Sequence, residues 1–120
     1  MKAIAYKKNI TLISVDSTRM LGAYGFLARV FDIFDEYKKS VDVVSTSEVS
    51  VSLTVDNEEN VSRIVRELKD IADVEVMEGK AIICIVGEGM RHTPGIAGRT
   101  FVALGKNKVN IEMISQGASE

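Results

Sequence analysis

The chain repeats itself, and that repeat limits what it can fold into more than any other feature. Displaced by 70 residues with no gap, Ile13, Met20, Gly25, Arg29, Phe31, Lys38 and Ser45 fall on Ile83, Met90, Gly95, Arg99, Phe101, Lys108 and Ser115. Val41 meets Ile111, and Asp42 meets Glu112. Scattered identities gain weight here because predicted strand falls on strand, loop on loop and helix on helix. An offset that preserves element type marks a duplicated supersecondary unit.

The first copy is the clearer one. Ile10-Thr11-Leu12-Ile13-Ser14-Val15 is short and rich in β-branched residues, so it reads as a strand. A turn-rich loop over 16–24 holds Gly22, with Gly25 at its far edge. Phe26, Leu27, Val30, Phe31, Phe34 and Tyr37 then recur at helical spacing, with Arg29, Asp32, Asp35, Glu36 and Lys38 opposite, which predicts a helix over 26–37. Residues 41–46 read as a second strand. Val49, Val51, Leu53 and Val55 alternate with Ser50, Ser52 and Thr54, so a third strand should bury one face much more than the other. The polar turn Asp56-Asn57-Glu58-Glu59-Asn60 offers two candidate helix N-caps. Val61, Ile64, Val65, Leu68 and Ile71 form a second amphipathic pattern, and Val74 and Val76 a fourth strand ending at Gly79.

Strand, helix, strand, strand, helix, strand is the split βαβ, or ferredoxin-like, order. The expected fold class is therefore α+β, with two βαββαβ units in tandem: residues 10–79, and a shorter second unit over 80–120. That second unit should run strand 81–87, helix 94–106 opened by Thr93-Pro94, and strand 109–116. Relative to the first it lacks a strand, a helix and a final strand, so it should expose a sheet edge and an apolar face. Residues 3–7 are expected to supply a strand to it.

Composition excludes several function classes. The formal net charge is −2, from 15 basic and 17 acidic residues well mixed along the chain, so no basic patch for nucleic acid is visible. The longest apolar run, 81–86, is far shorter than the roughly 20 residues that span a bilayer. Residues 1–8 lack the apolar stretch of a signal peptide, and the single cysteine cannot form an internal disulfide, so a soluble cytoplasmic protein is expected. With one cysteine and one histidine, nucleophile–base pairs hardly arise. His92 reads as an exposed loop residue, Cys84 between Ile83 and Ile85 as a buried core residue, and Asp32, Asp35 and Glu36 as a solvated helix face. No zinc ligand set and no phosphate-binding loop appear, so neither catalytic residues, metal nor cofactor is expected.

What remains is the loop–helix junction over 20–27. Gly22 and Gly25 let backbone approach a ligand closely, and amides at a helix start attract a carboxylate. Asp42 is an acid at the start of a core strand, in Ser40-Val41-Asp42, and Glu48 lies in the turn Thr46-Ser47-Glu48. Amides for a carboxylate and acids for an ammonium would suit a zwitterion. A glycine turn beside hairpin acids fits the same spacing.

Three strings carry a resemblance: Ser17-Thr18-Arg19-Met20-Leu21-Gly22-Ala23-Tyr24-Gly25-Phe26-Leu27, Ser40-Val41-Asp42-Val43-Val44-Ser45-Thr46-Ser47-Glu48-Val49-Ser50, and Met113-Ile114-Ser115-Gln116-Gly117-Ala118-Ser119. Over nearly its whole length the chain resembles the regulatory region of monofunctional aspartate kinases, which holds two ACT units. The resemblance implies feedback control by an end product of the aspartate pathway, lysine favoured and threonine the alternative. It further implies a homodimer paired through ACT units, an effector bound near that interface, and an N-terminal kinase domain, outside this sequence, in the full-length parent. Matched position by position, the implied pocket comprises Met20, Gly22, Ala23, Gly25, Phe26 and Leu27, then Ser40, Val41 and Asp42, then Thr46, Ser47 and Glu48. Gly22-Ala23-Tyr24 stands where some lysine-inhibited relatives carry a polar His-Ser-Arg, which removes a side-chain contact at Ala23. The rival reading, a ferredoxin-like interaction or RNA-binding module without small-molecule ligand, would want exposed aromatics and basic residues on the sheet; the strands carry Ser50, Ser52 and Thr54 instead. A small phosphate-handling enzyme on the same fold would want an arginine and an asparagine on a phosphate loop.

Overall fold

The computed structural model describes residues 2–17, 24–47, 49–87 and 96–114. The predicted loop residues Met20, Gly22 and Ala23, the turn residue Glu48, His92 with Thr93-Pro94, and residues 115–119 of the third string lie outside them. The elements are β1 (Lys2–Asp16), α1 (Tyr24–Glu36), β2 (Val44–Thr46), β3 (Ser50–Val55), α2 (Val61–Lys69), β4 (Asp73–Gly87) and α3 (Ile96–Lys106). The sheet runs β2-β3-β1-β4, the order of the ferredoxin-like βαββαβ arrangement. β1 and β3 pair antiparallel with Ile13 opposite Leu53, and β2 and β3 antiparallel with Val44 opposite Leu53.

By its contacts the chain divides into two units, Lys7–Ile82 and, from two stretches, Met1–Tyr6 with Ile83–Glu120. The first is built on one core. Ile13 and Val15 of β1, and Val51, Leu53 and Val55 of β3, meet Phe26, Val30, Ile33 and Phe34 of α1 and Val61, Ile64 and Leu68 of α2. These positions are the predicted period-two and helical faces, now pointing inward together. Along β3, Val51, Leu53 and Val55 are fully buried while Ser50 and Ser52 are half-buried, as the alternation requires; Thr54 is also buried, its hydroxyl 2.9 Å from the donating Val43 N–H. Tyr37 Oη donates to Glu67 Oε2, tying the end of α1 to α2. That bond, then burial, then the negative charge of Glu67 and Glu36, raise the Tyr37 phenol above its usual 10.

Among the residues of the second unit whose side chains are described, none is buried. Ile4, Tyr6, Ile83, Phe101, Val102, Val109, Ile111 and Ile114 are all exposed there. The exposed apolar face expected of a short second unit is present. Cys84 was expected in a core, yet it is exposed. Its strand is apolar, but among the described residues this unit closes nothing over it. The strand expected over 109–116 does not form in its described part: residues 109–114 have no regular structure. A strand needs a partner ladder to satisfy its backbone, and none is present beside these residues among those described.

Two pairs of expected elements merge. The strand 10–15 and the filler 3–7 are one 15-residue strand, and the strands around 74–79 and 81–87 are likewise one 15-residue strand. Each carries a single left-handed residue, Asn9 (φ 59) in β1 and Gly79 (φ 67) in β4. These stand 70 residues apart, and the second such pair does too. Lys38 (φ 52) and Lys108 (φ 58) follow α1 and α3. In each case the left-handed residue donates to the carbonyl three residues back (Lys38 to Asp35, Lys108 to Gly105), and its successor donates to the carbonyl five back (Lys39 to Phe34, Val109 to Leu104). That pair of bonds is the Schellman helix stop. The duplication is thus written in the backbone as well as in the side chains. Asn60 caps α2 in a left-handed conformation (φ 64) without the side-chain bond expected of it.

Candidate functional site

α1 starts at Tyr24, so Gly25, Phe26 and Leu27 form its first turn, whose N–H groups have no intrahelical acceptor. That turn holds no acidic residue, leaving its partial positive charge open to an anion. Gly25 is exposed, and among the described residues nothing lies within 4 Å of where a Cβ would stand. Phe26 is committed to the core, and Leu27 and Val41 pack against it, so these three shape the site from behind. The chain leaves α1 and within six residues reaches Asp42, whose N–H donates to Thr54 O at 2.8 Å. Ser40 and Asp42 are exposed. Across β2, Thr46 and Ser47 are exposed; Ser47 N–H donates to Ser50 O at 2.8 Å and the two hydroxyls lie 2.8 Å apart, closing the hairpin.

These polar groups do not gather in one place within a chain. Asp42 and Ser47 stand at opposite ends of β2, about 17 Å apart for five extended residues. Gly25 and the Asp42 end of the strand are likewise separated by the length of α1, about 18 Å over its 13 residues. The candidate residues therefore form two half-sites: Ser40, Val41 and Asp42 at one end, Gly25 at the start of α1, and Thr46 and Ser47 at the far end of the edge strand. No single amino acid spans that gap.

Spacing alone did not reveal Lys7. Its Nζ lies 3.2 Å from Asp42 Oδ2 and 3.8 Å from Asp56 Oδ2. The pairing joins residues 35 apart, Lys7 on β1 and Asp42 in the stretch ahead of β2, which no local pattern shows. Among the described residues no cluster of three or more histidines, cysteines or acids could hold a metal. No described helix is long and apolar enough to cross a membrane.

Comparison with known proteins agrees with this architecture. Residues 83–120 match the ACT domain family model. Arabidopsis thaliana aspartokinase 1, chloroplastic, is 45% identical over all of this chain, which spans 22% of the plant protein. Schizosaccharomyces pombe aspartokinase is 44% identical over 98% of the chain and 23% of its own length. Among solved structures, one described as a C-terminal regulatory domain of aspartate kinase from Porphyromonas gingivalis is 45% identical, covers 99% of this chain and 80% of that one, and superimposes with a TM-score of 0.81. E. coli aspartokinase III, solved in complex with lysine and aspartate, is 37% identical over 98% of this chain and 27% of its own, with a TM-score of 0.79.

Proposed function

Because this chain belongs to the ACT-domain regulatory regions of aspartate kinases, we propose that it is the effector-binding part of such an enzyme, taking up a free amino acid where two copies pair and supplying no catalytic group. Lysine is the effector we favour, threonine the alternative, and the kinase domain of a full-length parent the target of control. The lysine complex of the E. coli relative supports the choice of ligand. The two-unit reading, 10–79 and 80–120 with a strand from 3–7, goes with this proposal.

One observation carries the reading: the two half-sites lie at opposite ends of β2, and β2 is an edge strand. An edge presents unpaired N–H and C=O groups, and beside them Val44 and Val49 are each 40% exposed. A two-fold axis beside β2 would pair it with its own copy running the other way. The Asp42 end of one chain then meets the Ser47 end and α1 start of the other. Amides near Gly25 receive the effector's carboxylate, and Asp42 of the opposite chain, with Glu48, receives its ammonium groups. Each of the two sites is built from both chains. Binding that favours one arrangement of the pair over another shifts the parent between states by that difference in affinity. We further propose a cytoplasmic setting on the ground of the single free thiol; the plant relatives show that an organelle can host such a domain too.

The test is calorimetry with L-lysine on single variants and on their mixture. Asp42→Asn should weaken binding about 10-fold or more, the worth of one charge-assisted hydrogen bond. Gly25→Glu should abolish it by placing a carboxylate against a carboxylate, while the open space around Gly25 leaves the fold intact. Mixed 1:1, the two variants should regain binding at about a quarter of the sites, because half the dimers then hold one site free of both changes. Full lysine affinity in both variants would discard the site, and a mixture that regains nothing would discard its assembly from two chains.

A further inference from the structure

We propose that Lys7 is an internal competitor for the effector's ammonium, holding Asp42 in the unliganded chain and giving it up to Asp56's side when an amino acid binds. The inference rests on Asp42 being the ammonium-binding acid. Lys7 Nζ lies 3.2 Å from Asp42 Oδ2 and 3.8 Å from Asp56 Oδ2, bridging both acids with the shorter contact to Asp42. Its ammonium is the same chemical group that a lysine effector presents, so the chain occupies its own acid with a tethered copy of the ligand's cation.

The arrangement is suited to exchange rather than to locking. The Lys7 side chain is 54% accessible, Asp42 26% and Asp56 53%. An ion pair this wet contributes little to stability, so an incoming cation can break it at small cost. Asp56 lies close enough that Lys7 has only to tilt to keep a partner, and it is never left unpaired. Asp42 meanwhile has its N–H fixed to Thr54 O at 2.8 Å, so its backbone stays where the ligand needs it. The device sets a threshold: the effector has to outcompete a cation that is always present at the site.

The test uses the 120-residue chain and L-lysine titrations of Lys7→Met, Lys7→Arg, Asp42→Asn and the double variant Lys7→Met with Asp42→Asn. Lys7→Met should bind lysine about two- to five-fold more tightly, the range set by an exposed ion pair, while Lys7→Arg stays at the wild-type value. The gain should vanish when Asp42→Asn is already present. If Asp42→Asn weakens binding but Lys7→Met leaves it unchanged or weakens it, the competitor role is overturned and the site stands. If Asp42→Asn has no effect, the site itself fails, and the competitor with it.

Discussion

Phe34 and Phe101 offer a measurement of how differently the two units use the same kind of residue. Both are phenylalanines on helices with exposed opposite faces, Phe34 on α1 and Phe101 on α3. Phe34 is 2% exposed inside the core of α1, α2 and the sheet, whereas Phe101 is 41% exposed. Replacing Phe34 by Ala removes a fully buried ring and leaves a cavity, a loss of about 3–5 kcal/mol. Replacing Phe101 by Ala forfeits only part of the transfer free energy, about 1–1.5 kcal/mol, and leaves no closed cavity. Alanine's better helix propensity returns about 0.5 kcal/mol of that. With a urea dependence of about 2 kcal/mol per M, the midpoint should fall by roughly 1.5–2.5 M for Phe34→Ala and roughly 0.25–0.5 M for Phe101→Ala. Urea titration followed by circular dichroism at low micromolar concentration reads both. Equal losses would refute the reasoning, because Phe101 would then be as covered in solution as Phe34.

The left-handed helix stops give a second expectation: Lys38→Gly and Lys108→Gly should each stabilise by up to about 1 kcal/mol, as glycine bears φ of 52 and 58 without strain, and a lowered urea midpoint in either would contradict that. A third concerns Tyr37, whose raised pKa means the folded chain holds the phenolic proton more tightly than the unfolded one. Stability from that group is therefore complete below pH 10 and is lost as pH rises through the folded value. Tyrosinate absorbance should show a component ionising above 10 that moves down in Glu67→Gln, and identical titrations of that variant and the unchanged chain would disprove the Glu67 contact as its cause.

Much of the first unit was legible because its sequence patterns agree with its packing. Val51, Leu53 and Val55 sit on one face of β3 because a pleat alternates, and Val61, Ile64 and Leu68 share a stripe because a helix turns every 3.6 residues. Boundaries were less legible. Gly79 reads as a strand end, yet it, like Asn9, is a left-handed residue inside one 15-residue strand. Cys84 was misjudged for a different reason. Its neighbours Ile83 and Ile85 report what the strand prefers, not what covers it, and burial depends on elements elsewhere in the fold. Lys7 escaped notice since an ion pair between β1 and the residue before β2 depends on register, which no local window contains.

The candidate site shows most clearly where sequence reasoning stops. Residues 20–27, 40–42 and 46–48 stand close enough along the chain to suggest one pocket. A strand of three residues and a helix of thirteen then carry the described ones, Gly25 to Leu27, 40–42 and 46–47, apart, because β2 and α1 are rigid rods with fixed rise. Yet the same rods give the separation a meaning. Groups at the two ends of an edge strand are brought together by one operation, a two-fold axis beside that strand, and by no smaller rearrangement of a single chain. An effector bound there would touch both chains at once. A ligand held in that way reports on how the pair is arranged, which is what a regulatory domain has to sense, whereas a pocket closed within one chain would be indifferent to its partner.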